Sequence, residues 1–115
     1  MMVTIYHNPR CSKSRQTLQL LQENNVSPEV VEYLKTPLDK TQLTELISKL
    51  GISVRDIIRK SEQDYKKRAL SKSELSDDAL LNAIVEAPKL MQRPIVVNGN
   101  KAAIGRPPEN VLEIL

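Results

Sequence analysis

The chain has 115 residues and a mass of 13.0 kDa, which suits one domain over residues 1–115 with a single core. Hydrophobic residues at 40% and charged residues at 27% exclude a disordered composition, and with no Trp or Phe the core falls to Leu, Ile, Val and Ala. The net charge of +3 comes from scattered lysines with only three Tyr, so a small anionic ligand is expected and a nucleic-acid partner is not.

The first segment, Val3 to Tyr6, is short and β-prone, and Asn8-Pro9 stops it. From Ser12 to about Asn24 a helix is expected, with Leu18 and Leu21 on one face and Leu20 off it. Asn24-Asn25 ends this helix, Ser27-Pro28 turns the chain, and Val30, Val31, Tyr33 and Leu34 predict a second strand. A β-α-β start favours a parallel pair with a right-handed connection.

The middle reads as helical. In KTQLTELISKLG, Leu43, Leu46, Ile47 and Leu50 recur at helical spacing and Gly51 stands as the C-terminal cap. Short helices are expected over Val54 to Lys60 and Glu62 to Leu70. A longer one is capped by Ser76-Asp77 and runs to Leu90, distorted by Pro88 near its end. Pro94 to Val97 then predicts a strand, Asn98-Gly99 a tight turn and Ala102 to Ile104 its partner. Gly105-Arg106-Pro107-Pro108 breaks the hairpin and starts a terminal helix through Leu115. The fold class expected is α/β: a thioredoxin-like mixed sheet, βαβ then ββα, with a helical insertion between the halves.

No stretch approaches the ~20 apolar residues of a membrane span, so no membrane partner is expected. The N-terminus lacks the charged start and apolar run of a signal peptide. A cytoplasmic protein is the expectation. A lone cysteine, unable to close an internal disulfide, agrees with a reducing compartment. Nothing in the sequence demands a second subunit, and a monomer is expected.

That cysteine lies in HNPRCSKSR, residues 7–15, which also holds the one histidine of the chain. Cys11 falls where the first helix starts, and the unpaired N–H groups there favour an anion. Arg10, Lys13 and Arg15 surround it in sequence, and Ser14 follows three residues on, within reach of the sulfur as a donor. An ordinary thiol with a pKa of about 8.5 is about 3% ionised at pH 7. Positions of this kind lower the value to roughly 3.5–7.5, and a value near 6 makes about nine tenths of it thiolate. The alternative, a small buried and inert cysteine, fits poorly between a proline and a helix start. His7 either tunes the thiol's charge or merely ends the strand. One Cys and one His fall short of a metal ligand set, so no metal is expected. A dithiol pair would need a cysteine at Ser14, a phosphatase loop an arginine at Thr17, and a cysteine protease a third residue beside His7 that is not identifiable.

Together, HNPRCSKSR, QRPIVVNG and IGRPPE resemble the glutaredoxin-coupled arsenate reductases and their close relatives, and the likeness runs over essentially the whole chain. The resemblance implies that Cys11 is the nucleophile and that Arg59, Arg93 and Arg106 bind the oxyanion. It implies that His7 and Ser14 keep the thiol ionised, and that Pro94 is a cis-proline beside the cysteine. It further implies reduction of arsenate to arsenite through a covalent thiol–arsenate adduct. No bound cofactor is implied; glutathione serves as co-substrate, and glutaredoxin takes the glutathionyl group. Permanently charged guanidinium groups suit that chemistry, because a thiolate attacking an oxyanion meets like charge.

Ser12-Lys13 follows the thiol where established reductases of this group often carry a small pair such as Gly-Thr. Two alternatives therefore stay open. One is a redox-sensing or regulatory interaction protein on the same fold, although relatives that sense oxidation through Cys-x-x-Cys have a second thiol where Ser14 stands. The other is a glutathione-linked reductase of another oxyanion or of a mixed disulfide.

Overall fold

In the computed structural model, which describes residues 2–115, the chain forms two compact units. The first comprises the described residues up to Thr36 together with Arg93–Leu115, and the second comprises Pro37–Gln92.

The first unit carries a four-stranded sheet. Strand β1 (Val3–Tyr6) leads into helix α1 (Ser12–Glu23) and strand β2 (Glu29–Val31). After the second unit the chain returns as β3 (Ile95–Asn98) and β4 (Lys101–Ile104). The strand order is β2-β1-β3-β4, with β1 parallel to β2 and antiparallel to β3, and β3 antiparallel to β4. A βαβ half and a ββ half thus share one mixed sheet, the thioredoxin-like arrangement. Val3 and Ile5 alternate inward along β1 and join Val96, Leu21 and Val111 in a core sealed at its margin by Leu18, Leu20, Val26, Ala103 and Ile114. Burying each such side chain is worth about 1.5–3 kcal/mol.

Three expectations for this unit need correcting. The second strand ends at Val31: Lys35 and Thr36 N–H groups both return to the Glu32 carbonyl, at 2.9 and 3.0 Å, so Tyr33 and Leu34 lie in a turn. The hairpin loop is Gly99-Asn100, because Asn98 still pairs with Lys101. Gly99 holds φ +63°, which a two-residue loop joining right-twisted strands requires. The terminal helix is a 3-10 helix, Pro108–Ile114. Its core-facing residues, Pro108, Val111 and Ile114, recur every three positions, the repeat of a 3-10 helix, whose side chains at i and i+3 eclipse.

The second unit is helical. Helix α2 (Lys40–Leu50) starts at a capping box in which Asp39 accepts the Gln42 N–H at 2.8 Å and Gln42 returns to Asp39 N–H at 3.0 Å. Gly51 caps its end, donating to the Ile47 carbonyl at 3.0 Å. Helix α3 (Gln63–Lys67) is short, and α4 (Asp77–Glu86) starts at Ser76, whose hydroxyl accepts the Ala79 N–H at 3.1 Å. Leu43, Leu46 and Ile47 of α2 and Leu80, Leu81 and Ile84 of α4 are buried where these helices pack together, and Lys40 pairs with Asp78.

Here too the sequence overstates helix. Only Val54–Ile57 turns, as 3-10, and Ile58 is extended so that it can bridge to Met91. Gln92 N–H to Ile57 O and Arg59 N–H to Leu90 O, both 2.7 Å, flank that bridge. The stretch expected to run from Glu62 to Leu70 is helical only at α3. Helix α4 stops before Pro88, which disfavours a helical residue ahead of it, and the chain resumes as a 3-10 turn at Pro88–Leu90. Among the described residues no helix is long and apolar enough to cross a membrane.

Candidate active site

The loop between β1 and α1 is built on hydrogen bonds of its own. Asn8 begins an Asx turn, its Oδ1 accepting the Arg10 N–H at 3.0 Å, while its carbonyl accepts the Cys11 N–H at 3.0 Å. Arg15 reaches back to the Pro9 carbonyl at 2.9 Å, and the His7 N–H ties the end of β1 to Val31 O at 2.8 Å. These bonds present Cys11 as the N-cap residue of α1, extended at φ −93° and ψ 123°.

Ser14 is completely buried one turn into α1. Its Oγ accepts the Asn8 N–H at 3.0 Å and lies 2.6 Å from His7 Nδ1. His7 is itself 6% exposed, and burial, with the Arg15 charge adding to it against the opposing pull of Glu32, holds its pKa below the ordinary 6.5. The neutral imidazole is therefore favoured at pH 7, and Nδ1 shares with the Ser14 hydroxyl a hydrogen bond whose donor is set by the imidazole tautomer.

The Cys11 sulfur is partly exposed. Burial works to raise its pKa. The Ser14 N–H, a hydrogen bond from Arg93, the Arg93 charge and the Lys13 N–H together outweigh burial, so the thiol is held below its ordinary value. The sulfur closes no capping hydrogen bond, yet those first-turn N–H groups favour its anion as they would any negative charge at a helix start. Ser14 thus serves the sulfur through its backbone, while its hydroxyl is occupied by His7 and Asn8. Arg106 Nη2 approaches Sγ at 3.5 Å, and its Nε donates to the Arg93 carbonyl at 2.7 Å. Two guanidinium groups from the strand-rich half therefore stand over a thiol from the helical start.

Of the residues singled out from the sequence, the structure gathers His7, Cys11, Ser14, Arg93 and Arg106 in the first unit. Pro94, buried, follows Arg93 through a cis peptide, and Arg106-Pro107 is also cis. Arg59 belongs to the second unit, where its N–H meets Leu90 O and its Nε pairs with Glu62 Oε1 at 3.4 Å. Sequence reasoning gave Asn8 no role beyond ending a strand. The Asn-Pro dipeptide, a common turn starter, was the available signal. The first-turn N–H of Lys13 was hidden because its side chain, which is exposed, draws the eye instead. Among the described residues no group of three metal-ligating side chains occurs.

A partly exposed, anion-favouring thiol with guanidinium neighbours can attack an electrophile that carries negative charge, since the arginines offset the repulsion between nucleophile and target. The chain is 59% identical over 114 residues to the Escherichia coli K12 protein named Uncharacterized protein YfgD, covering 98% of this chain and 96% of that one. It is 47% identical to an arsenate reductase of Neisseria meningitidis, covering 98% and 97%. The solved structure of an arsenate reductase from Vibrio cholerae superposes with a TM-score of 0.98 at 52% identity, covering 100% of this chain and 98% of that one. Residues 6–114 match the ArsC family along nearly the full length of the chain, and the chain belongs to that family.

Proposed function

We propose that this protein reduces arsenate to arsenite, with Cys11 as the nucleophile. The observation that carries this reading is the thiol at the start of α1, held below its ordinary pKa with Arg106 at 3.5 Å and Arg93 bonded to it. The thiolate attacks arsenic and displaces water or hydroxide, forming a covalent Cys11–arsenate adduct. Arg93 and Arg106 bind the oxyanion's oxygens. His7 and Ser14 support the thiolate by fixing the loop that carries it, with the Ser14 N–H aimed at the sulfur.

The electron balance calls for outside thiols. Arsenic(V) takes up two electrons in becoming arsenic(III), and one cysteine has no partner with which to form an internal disulfide. Glutathione therefore reduces the adduct as co-substrate, glutaredoxin takes over the glutathionyl group, and arsenite leaves. No resident cofactor or metal takes part. The protein acts as a cytoplasmic monomer that meets these two partners in turn.

The test is arsenate-dependent NADPH oxidation coupled through glutathione reductase, with glutathione and glutaredoxin present. The parent protein turns over and Cys11→Ser, which keeps the fold, does not. Activity retained by Cys11→Ser would overturn the scheme. The exposed Lys13 beside the thiol adds charge that favours a second reading, reduction of a different oxyanion by the same route. Turnover with another tetrahedral oxyanion but not arsenate would select it.

A further inference from the structure

We propose that the bare face of Gly105, seated on Thr17 and Pro94, is the spacer that sets how far the Arg106 guanidinium stands from the Cys11 sulfur, making Gly105 and Thr17 positioning residues of the thiol site. A Cβ placed on Gly105 would lie 2.6 Å from Thr17 Oγ1, 2.8 Å from Pro94 Cγ and 3.1 Å from Thr17 Cγ2. None of these atoms is the loose end of a flexible side chain. Thr17 is fully buried and its Oγ1 donates to the Lys13 carbonyl at 2.8 Å, while Pro94 Cγ belongs to a buried ring.

What meets at this contact are the two carriers of the site. Thr17 lies on α1, the helix whose N-cap is Cys11, about 9 Å further along the axis at 1.5 Å per residue. Gly105 immediately precedes Arg106. The turn around it is tied down by Gly105 N–H to Pro94 O (2.9 Å), Arg106 N–H to Ile104 O (2.9 Å) and Asn110 Nδ2 to Arg106 O (3.1 Å). The Arg106 Nε bond to Arg93 O completes the set. Glycine lets this tethered turn close down on the helix, and the depth of closure fixes the 3.5 Å from Nη2 to Sγ. Restoring ordinary contact for a new Cβ, from 2.6 to 3.4 Å against Thr17 Oγ1, moves the turn by about 0.8 Å. A hydrogen bond to sulfur already 3.5 Å long does not survive a displacement of that size. Thr17 is also the place where a phosphatase loop would carry its arginine. Here that position holds a seat for the turn that brings an arginine from the other end of the chain.

This inference rests on the reading of Arg106 as a partner of the reactive thiol. Its test needs no arsenate, so its failure is distinct from a failure of the reductase assignment. The thiolate of Cys11 is titrated by ultraviolet absorbance and by alkylation rate against pH in five proteins: the parent, Gly105→Ala, Gly105→Ala/Thr17→Ala, Arg106→Ala and Gly105→Ala/Arg106→Ala. Gly105→Ala raises the midpoint by about half a unit, which lowers the thiolate fraction below the midpoint about threefold. Adding Thr17→Ala removes the two Thr17 atoms but leaves Pro94 Cγ 2.8 Å from the new Cβ, so the midpoint returns part of the way to the parent's. In the Arg106→Ala background Gly105→Ala adds nothing, because the group it displaces is gone.

A Gly105→Ala midpoint equal to the parent's overturns the proposal. So does a shift that persists without Arg106, or one that Thr17→Ala does not relieve. If Gly105→Ala alone fails to fold, the paired Gly105→Ala/Thr17→Ala variant decides. Folding with a midpoint between the parent's and that of Arg106→Ala supports the spacer, and a midpoint like that of Arg106→Ala, or no folding, refutes it.

Discussion

Replacing Ser14 by alanine deletes one oxygen from a fully buried position and strands two polar groups that depended on it. The Asn8 N–H loses its 3.0 Å acceptor and His7 Nδ1 loses its 2.6 Å partner. His7 is 6% and Asn8 9% exposed, so water reaches neither readily. Each buried polar group left unpaired costs about 1–3 kcal/mol, and the two together cost about 3 kcal/mol, a large share of the roughly 5–15 kcal/mol that holds a domain folded. For a chain of this length that lowers the thermal midpoint by about 10–15 °C. Ser12→Ala, at an exposed position two residues earlier, stays within about 0.5 kcal/mol of the parent. Thermal melts followed by circular dichroism measure both. The same variant separates two ways in which Ser14 can serve the thiol. The sulfur is favoured by the Ser14 N–H, which alanine keeps. The Cys11 titration midpoint therefore moves less in Ser14→Ala than in Arg93→Ala at temperatures where the variant is folded. A melt within about 2 °C of the parent, or a thiol shift exceeding that of Arg93→Ala, would refute this reasoning.

Arg93→Ala removes both a hydrogen bond and a charge from the sulfur, so the thiol titrates higher and alkylation below neutral pH slows; an unchanged rate profile would contradict the arrangement. Because the folded-state pKa of Cys11 is depressed, its contribution to stability is complete above the ordinary thiol value and is lost as pH falls through the folded value. Denaturant unfolding from pH 6 to 9.5 accordingly shows the parent gaining stability relative to Cys11→Ser as pH rises; parallel curves would count against it. The pKa of His7 is also depressed, so its contribution is intact above 6.5 and is lost as pH falls through its folded value. His7→Gln removes that loss, and a parent that holds its stability down to pH 4.5 would contradict the neutral imidazole.

Much of this was legible in advance because the signals are local. The β-prone run Val3 to Tyr6 and the i, i+3, i+4, i+7 spacing in KTQLTELISKLG, closed by Gly51, each lie within a few residues. A cysteine at a helix start is likewise a local pattern. What escaped were features decided by partners distant in sequence. Ile58 forgoes helix because Met91 offers a bridge thirty-odd residues on. Tyr33 and Leu34 have strand-like composition, yet the chain turns at Glu32, and Tyr33 is buried from within that turn. The terminal segment reads as a helix from its proline start, without the helix type being evident. The three-residue recurrence of Pro108, Val111 and Ile114, which marks a 3-10 helix, was present in the letters but is easily mistaken over so short a span. Serine's hydroxyl was expected on the sulfur, and only the buried environment shows that His7 and Asn8 claim it first.

The sheet is assembled from strands on either side of the helical unit, and 95 positions separate Cys11 from the guanidinium beside it. The acidity of the sulfur is therefore a report on folding as well as on chemistry. A chain whose first helix has formed but whose β3 and β4 have not yet joined the sheet holds the helix N–H groups at the thiol without either arginine. Alkylation of Cys11 during refolding thus marks the moment at which the strand-rich half closes.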